Sequence, residues 1–147
     1  MAYFILNPNE TDKTKIYRIA ENDAEKNGLK ICDQHIAIDV SDDDFNKLKN
    51  DTHNISGHDG TNYTWEPRAD GFKTAEGLQN HLNFVSSEIE QWLSENPDRS
   101  DRSTWETYKG VVDSFDTSTI SSWPLRKSWD EYCSENGINH KSLWQLP

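Results

Sequence analysis

The sequence predicts an α+β fold, with a small N-terminal antiparallel sheet of about four strands followed by a C-terminal lobe of about three helices. Three observations support this. Short β-rich runs separated by turn formers fill an N-terminal lobe, residues 1–70. Over a C-terminal lobe, residues 71–147, apolar side chains recur at the spacing of amphipathic helices. Six Trp, five Tyr and five Phe supply apolar surface for a core, although the mean hydropathy is only -0.96.

Strands are predicted where β-branched and aromatic residues cluster between turn formers. Residues 2–6 and residues 15–20 are two such runs, and the Asn7-Pro8-Asn9 turn signal between them predicts an antiparallel pair. Residues 35–40, HIAIDV, alternate with a period of two, which predicts a half-buried strand. Residues 62–67, NYTWEP, are predicted to be the last strand, before a lobe boundary that falls within the next few residues.

A short helix is predicted to follow the HIAIDV strand directly. Ser41 is placed to accept a hydrogen bond from the free N–H groups of the first turn, and Asp42–Asp44 favour the positive end of the helix dipole. Phe45 and Leu48 lie three residues apart, so we expect their side chains to hold this helix against the sheet.

Two polar stretches are predicted to be connections. In residues 21–29, ENDAEKNGL, we expect Gly28 to end a helix or to form a turn. Residues 50–62, NDTHNISGHDGTN, are rich in turn formers and are predicted to be a loop. The sharpest turn signal in that loop is Asp59-Gly60.

Two long helices are predicted in the second half. The first begins at Thr74 and ends at Asn96, because Pro97 disfavours helix in the residue before it. Its apolar positions are Leu78, Leu82, Val85, Ile89, Trp92 and Leu93. The second helix is predicted to begin at Ser103, which forms a capping box with Glu106. Its apolar positions are Trp105, Tyr108, Val112 and Phe115.

A third, short helix is predicted to open with the capping pair Ser128 and Glu131 and to stop at Gly137, which can take the left-handed conformation. It carries Trp129, Tyr132 and Cys133. Between the second and third helices, Trp123-Pro124 is predicted to be extended, since proline restricts the residue that precedes it.

The charge balance disfavours two classes of partner. Asp and Glu number 26 against 15 Lys and Arg, a net charge of -11, and we found no basic run. We therefore expect no nucleic-acid partner and no membrane partner, because both need cations facing phosphate. The start, MAYFILNPNE, lacks the basic and apolar regions of a signal peptide, so we expect no secretion. Cys32 and Cys133 are expected to be free thiols.

The sequence supports catalytic or metal-binding roles for its His, Cys and Ser residues less well than structural roles. His53, His58 and Asp59 match no zinc spacing, and a solvated turn is favoured. Two nucleophile–base pairs are conceivable: Cys133 with His140, and a Ser of residues 116–122 with His81. However, the sequence contains no Gly-x-Ser-x-Gly motif and no phosphate-binding loop. We expect no catalytic residue, no metal and no cofactor. A small hydrolase or metal-dependent enzyme remains the second alternative.

The aromatic residues of the helical lobe suggest protein binding, because Trp and Tyr dominate the energetics of interfaces. At helical spacing they are first of all core residues. Trp123 and Trp144 lie on no helical face, so they are the stronger candidates for contact with a partner. The alternative for both is packing inside the protein. The predicted interaction set is Trp105, Tyr108, Val112, Phe115, Trp123, Pro124, Trp129, Tyr132 and Trp144.

Two segments carry a family resemblance that covers about a third of the chain. Residues 105–124, WETYKGVVDSFDTSTISSWP, resemble the C-terminal signature of tailed-phage tail fibre assembly proteins and related tail assembly chaperones. The matching positions are Trp105, Tyr108, Lys109, Val112, Asp113 or Asp116, and Trp123-Pro124. Residues 35–50 resemble a strand-then-helix of the same proteins. There the matching positions are Ile36, Ile38, Val40, Ser41, Asp42, Asp44, Phe45 and Leu48.

The resemblance implies a non-enzymatic protein that binds phage tail or tail-fibre subunits and helps them to assemble. It implies a location in the host cytoplasm during assembly and, for a retained component, in the virion. Such proteins tend to finish soon after the Trp-Pro pair, whereas this chain continues through residues 125–147. That extension favours a permanent structural component of the tail, neck or fibre as the first alternative. The sequence does not fix the oligomeric state.

Overall fold

The computed structural model describes residues 1–29, 33–68 and 71–146 and confirms the α+β class. Its contacts divide the chain into two compact units. The sheet unit comprises Met1–Arg68 with Ser142–Pro147, and the helical unit comprises Ala69–Lys141. The end of the chain thus belongs with the sheet, whereas the sequence division had placed all of residues 71–147 in the helical lobe.

The main sheet has three antiparallel strands in the order β2-β1-β3. These are β1 (Ala2–Leu6), β2 (Arg18–Ala20) and β3 (Ile36–Val40). The predicted pairing of the first two runs is confirmed, with Phe4 opposite Ile19, although β2 is shorter than the run. On its other edge β1 pairs with β3 over its whole length.

The central strand β1 is buried on both faces, because alternate side chains of a strand point to opposite sides. Phe4 packs in a cluster that includes Phe45 and Tyr63. On the other face, Ile5 packs with Leu29, which ends α1 (Asp23–Leu29). The prediction that Gly28 stops this segment was wrong by one residue, since the helix continues and its last residue is buried.

The helix α2 (Asp42–Lys49) follows β3 as predicted. Asp44 N donates a 3.1 Å hydrogen bond to Ser41 Oγ, which confirms the N-cap. Phe45 is 3% exposed, and Leu48 is also buried in the cluster around Phe4. The apolar pair therefore attaches the helix to one face of the sheet, as the spacing of these residues predicted.

The prediction of a loop over residues 50–62 was wrong, because β4 (His53–His58) pairs there with β5 (Tyr63–Pro67). The predicted turn is present: Asp59 N bonds Asn62 O at 3.1 Å, and Gly60 has a φ of 100°. Instead of one sheet of about four strands, the described residues form a three-stranded and a two-stranded sheet.

The helical unit contains α3 (Ala75–Glu95), α4 (Arg102–Ser114) and α5 (Trp129–Glu135). The apolar face predicted for α3 is confirmed, and Thr74 caps the helix through a 3.1 Å bond from Gly77 N. Ser128 caps α5, accepting from Glu131 N at 3.1 Å. Gly137, with a φ of 66°, lies where α5 ends, as predicted.

The predicted start of α4 was wrong by one residue. The helix begins at Arg102, its N-cap is Asp101, and Ser103 lies inside the first turn. Glu106 forms an ion pair of 2.6 Å with Arg102, its neighbour at helical spacing. Arg102 also donates to Leu93 O at 2.8 Å, so one arginine joins the end of α3 to the start of α4.

The chain returns to the sheet unit after the helices. A short 3-10 helix, Leu143–Gln145, is closed by a capping box between Ser142 and Gln145. Gln145 Nε2 donates to Glu25 Oε1 at 2.7 Å, and Arg18 Nε donates to the carbonyl of Leu146. The tail is therefore anchored to α1 and to β2.

Candidate functional site: an aromatic strip on the helical unit

The structure separates the predicted interaction residues into a buried and an accessible group. The buried side chains are Trp105, Tyr108, Val112 and Trp129. The half-buried ones are Phe115, Trp123 and Tyr132, and the exposed ones are Pro124 and Trp144. A partner that binds the folded protein can contact only the accessible group, and Trp144 belongs to the sheet unit.

The buried rings hold the three helices of this unit together. The Trp105 ring centroid lies 5.7 Å from that of Trp92 on α3 and 6.2 Å from that of Tyr108. Phe115, at the end of α4, packs edge-on against Trp129 at 4.9 Å. Large aromatic side chains bury much apolar area and stabilise such contacts. Trp105 and Tyr108, which carry part of the family resemblance, are therefore core residues.

The cysteine–histidine pair lacks the features of a nucleophile. Cys133 is fully buried, and that burial raises the pKa of its thiol far above the usual range. A catalytic cysteine instead needs a lowered pKa, because the thiolate is the attacking species. His140 is buried as well, with its Nε2 4.0 Å from Asp130 Oδ1. Cys32 lies outside the described residues.

The hydroxyl-rich run of residues 116–122 contains a capped turn. Asp116 Oδ1 accepts hydrogen bonds from Ser118 N at 2.9 Å and from Ser118 Oγ at 2.7 Å. These bonds lower the pKa of the Asp116 carboxyl. Thr119 Oγ1 donates to the backbone oxygen of Asp116 at 2.8 Å. Local bonds of this kind are the usual role of Ser, Thr and Asp between helices.

The two histidines considered as metal ligands lie at opposite ends of β4. His53 is opposite Pro67 and His58 is opposite Tyr63, and these partners are four residues apart on β5, so about 13 Å along the sheet separates the two histidines. His58 Nδ1 accepts from Gly60 N at 3.0 Å. Asp59 caps the turn, and its backbone bonds lower the pKa of its carboxyl. Over the described ranges 1–29, 33–68 and 71–146, no three His, Cys, Asp or Glu side chains gather as metal ligands would.

An accessible row of rings crosses the surface of the helical unit. We call Phe72, His81 and Phe84 the aromatic strip. The His81 ring lies 5.3 Å from that of Phe72 and 6.5 Å from that of Phe84. Phe84 is 53% exposed, while the neighbouring apolar positions of α3, Leu82 and Val85, are buried. An exposed aromatic beside other rings is a feature of interaction surfaces.

The segment that contains Trp123-Pro124 is bonded to the edge of this strip. Phe72 and Leu125 exchange two backbone hydrogen bonds, each of 2.8 Å. A Cβ at Gly71 would overlap the carbonyl oxygen of Leu125, so this close approach requires glycine. Trp123 and Pro124 lie in a bend and are joined by a cis peptide bond, which corrects the predicted extended segment. The strip and the Trp-Pro pair are therefore neighbours.

Phe72, which precedes α3, and Phe84 were not identified from the sequence, because only the buried face of that helix was considered. Phe84 lies off that face, among polar residues, where a large aromatic gains nothing from the core. That mismatch was the available signal. His81, three residues earlier, was considered as a base for a serine of residues 116–122, and its half-buried ring lies between the two phenylalanines.

Comparison of the sequence with protein-family models, with curated proteins and with solved structures found no match. In the part of the chain that the structure describes, no helix has both the length and the apolar character needed to span a membrane. The geometry of the site is therefore the basis for a functional proposal, together with the resemblance in residues 105–124 and 35–50.

Proposed function

We propose that this chain is a phage tail-associated binding protein that docks on a tail or tail-fibre subunit, in the manner of an assembly chaperone. The aromatic strip and the adjoining Trp123-Pro124 segment are the docking surface. The proposal is non-enzymatic, requires no cofactor, nucleic acid or membrane, and locates the protein in the host cytoplasm during assembly. The phage context is supported by the resemblance, and the surface by the exposure of Phe84.

The exposure of Phe84 is the observation that carries the proposal. A buried aromatic removes on the order of 150–250 Å² from water, and at Phe84 about half of the surface of the residue is still available for that gain. Phe72 and the bonded segment at Leu125 provide a fixed support beside it. Pre-organised aromatic anchors bind well because little conformational entropy is lost when they are covered.

The acidic side chains of α3 favour a basic rim on the partner, although the exposed Lys73 lies next to Phe72. Glu88 follows Phe84 by one helical turn, and Glu76 and Glu90 are exposed on the same helix. The chain as a whole carries a net charge of -11. Complementary charge at the edge of an interface raises the association rate and discourages wrong partners. Association with the partner should therefore slow as salt is added.

The test is co-purification of the tagged chain from infected cells, followed by mass spectrometry. A tail or tail-fibre subunit is expected in the eluate. Phe84→Ala and Trp123→Ala should each weaken binding of the purified subunit by at least about 2 kcal/mol, or roughly thirtyfold. Asn83→Ala, an exposed neighbour on the same helix, is the matched control and should bind as the unmodified protein does. Unchanged affinity in both aromatic variants would exclude this surface.

The first alternative, a permanent virion component, is tested on purified particles. A chain retained in washed particles at constant stoichiometry is a structural component, and one that is lost is an assembly factor. The extension beyond Pro124 had favoured incorporation. In the structure much of that extension is used internally: Trp129 and Cys133 are buried in the helical unit, and Gln145 and Leu146 are buried in the sheet unit. The extension alone therefore gives incorporation no support.

A further inference from the structure

A groove of about 290 Å³ runs along α4 in the helical unit, apart from the residues of the aromatic strip. It is lined by Ser103, Thr104, Thr107, Tyr108, Val111, Asn139, His140 and Lys141. This volume is at the small end of the range for ligand sites. The groove therefore suits a ligand of amino-acid size.

The two walls of the groove differ in chemistry. The helix α4 contributes Ser103, Thr104 and Thr107 to the lining. The Thr107 hydroxyl donates to the backbone oxygen of Ser103 at 2.9 Å, so Ser103 and Thr104 supply the hydroxyl donors of this wall. Tyr108 and Val111 give that wall an apolar part. The segment of residues 139–141 contributes an amide, an imidazole and an ammonium group. A ligand would thus meet hydrogen-bond donors around an apolar surface.

The charge of the groove is opposite to that of the chain. Asp and Glu number 26 in the sequence, yet the lining contains lysine and histidine and no carboxylate. Lys141 is one of the lining residues, and its Nζ lies 5.5 Å from the centroid of the Trp105 ring, a cation–π contact. Asp130 Oδ1 lies 4.0 Å from His140 Nε2, and Asp130 is not part of the lining.

We propose that this groove binds a carboxylate carried on a short apolar stem. Lys141 supplies the charge for the carboxylate, and Asn139 and the hydroxyls of α4 supply further hydrogen bonds. Val111, which is half-buried, contacts the stem. The same chemistry is offered by a glutamate side chain of a protein partner and by a free aliphatic acid. This inference does not depend on the function proposed for the aromatic strip.

The test is an NMR titration of the full chain with matched charged and neutral probes. Butyrate and butyramide represent the free acid and its neutral analogue, and blocked Gly-Glu-Gly and Gly-Gln-Gly peptides represent a protein segment. Each carboxylate that binds should do so at least about tenfold more tightly than its amide, since a hydrogen bond to a charged group is about twice as strong as a neutral one. The amide signals of residues 103–111 and 139–141 should shift saturably.

The two sources are distinguished by which carboxylate binds more tightly. Tighter binding of the glutamate peptide identifies a protein segment as the occupant, and tighter binding of butyrate identifies a small acid. Equal affinity for acid and amide, or the absence of saturable shifts at the groove with all four probes, would overturn the proposal.

Two variants test the role of the lining directly. Lys141→Met keeps an apolar stem near Trp105, removes the charge, and should weaken carboxylate binding about tenfold without affecting the amides. Lys73→Met removes one charge from an exposed site outside the groove and should leave binding unchanged. Thr107→Phe, at an exposed lining position, should block the groove for both kinds of probe. Binding by Lys141→Met equal to that of the unmodified protein would show that the groove does not recognise charge.

Discussion

The indole N–H of Trp129 donates a hydrogen bond of 2.9 Å to the phenolic oxygen of Tyr108, which joins α5 to α4 inside the core of the helical unit. Trp129 is 1% exposed and Tyr108 is 3% exposed, so water cannot replace either partner. The burial also raises the pKa of Tyr108 above its usual range and keeps the phenol protonated. The pair combines apolar burial with a satisfied polar contact.

Tyr108→Phe is expected to lower the free energy of unfolding by about 1–3 kcal/mol, because the Trp129 N–H is left buried without its acceptor. Urea unfolding followed by tryptophan fluorescence measures the change. Tyr132→Phe is the matched control, since Tyr132 is half-buried and stacks on Trp129 through its ring. That variant should stay within about 0.5 kcal/mol of the unmodified protein. Equal losses in both would contradict a specific role for the bond.

Ser128→Ala and Ser103→Ala should differ, although both serines were predicted as N-caps. Ser128 caps α5, so its loss should cost about 0.5–2 kcal/mol of stability. Ser103 lies inside the first turn of α4, so its side chain is not the N-cap of that helix. Its replacement should therefore change stability by less than about 0.5 kcal/mol. Thermal unfolding of the two variants compares them directly. The reverse order would place the start of α4 at Ser103 after all.

Gln145→Ala should destabilise the sheet unit by about 1–3 kcal/mol, because Gln145 is 2% exposed and bonds both Glu25 and the backbone of Ser142. Trp144→Ala, at the adjacent exposed position, should be nearly neutral for stability. Hydrogen exchange of the β2 amides reports the change locally. Faster exchange in the Trp144 variant than in the Gln145 variant would show that the hydrogen bonds of Gln145 do not stabilise the sheet unit.

Asp113 links α4 to α3, and its effect on stability should depend on pH. Its carboxylate accepts from Lys109 Nζ at 2.7 Å and from Ser86 Oγ at 2.5 Å, and these bonds lower its pKa below 3.8. A group whose pKa is lowered by folding stabilises the folded protein at pH values above its unfolded-state pKa. This stabilisation is lost as the pH falls through its folded-state pKa. Asp113→Asn should therefore be less stable than the unmodified protein at neutral pH, with a difference that shrinks below pH 3.8.

Unfolding by urea at neutral and acidic pH measures that difference. The effect should be modest, since the Asp113 side chain is 45% exposed and solvent screens its contacts. Asp98→Asn, at an exposed position in the connector between the same helices, serves as the control and should show a small difference at both pH values. A difference for Asp113→Asn that grows on acidification would contradict the ion-pair account.

Local signals in the sequence predicted the elements whose causes are local. The spacing of Leu78, Leu82 and Val85 fixed the buried face of α3, because helical periodicity is a property of the segment itself. Ser41 and Ser128 were correct caps for the same reason: each bonds an N–H three residues ahead. The α+β class followed from the order of such segments.

Elements that depend on distant partners could not be predicted in this way. HNISGH has few good strand formers, and β4 exists because β5 pairs with it and Ile55 packs on the core. The burial of Gln145 depends on Glu25, which is 120 positions away. For the candidate site, Trp123-Pro124 was predicted because it lies on no helical face, whereas the signal at Phe84, an aromatic residue off the apolar face of α3, was not used.

The return of the tail to the sheet makes the helical unit an insert between two pieces of the other unit. A single protease cut in the connector of residues 96–101 would leave one fragment with the strands and α3, and a second with α4, α5 and the tail. Each fragment then contributes to both units, so the nicked protein should elute intact from a sizing column in native buffer. Only denaturant should separate the two pieces.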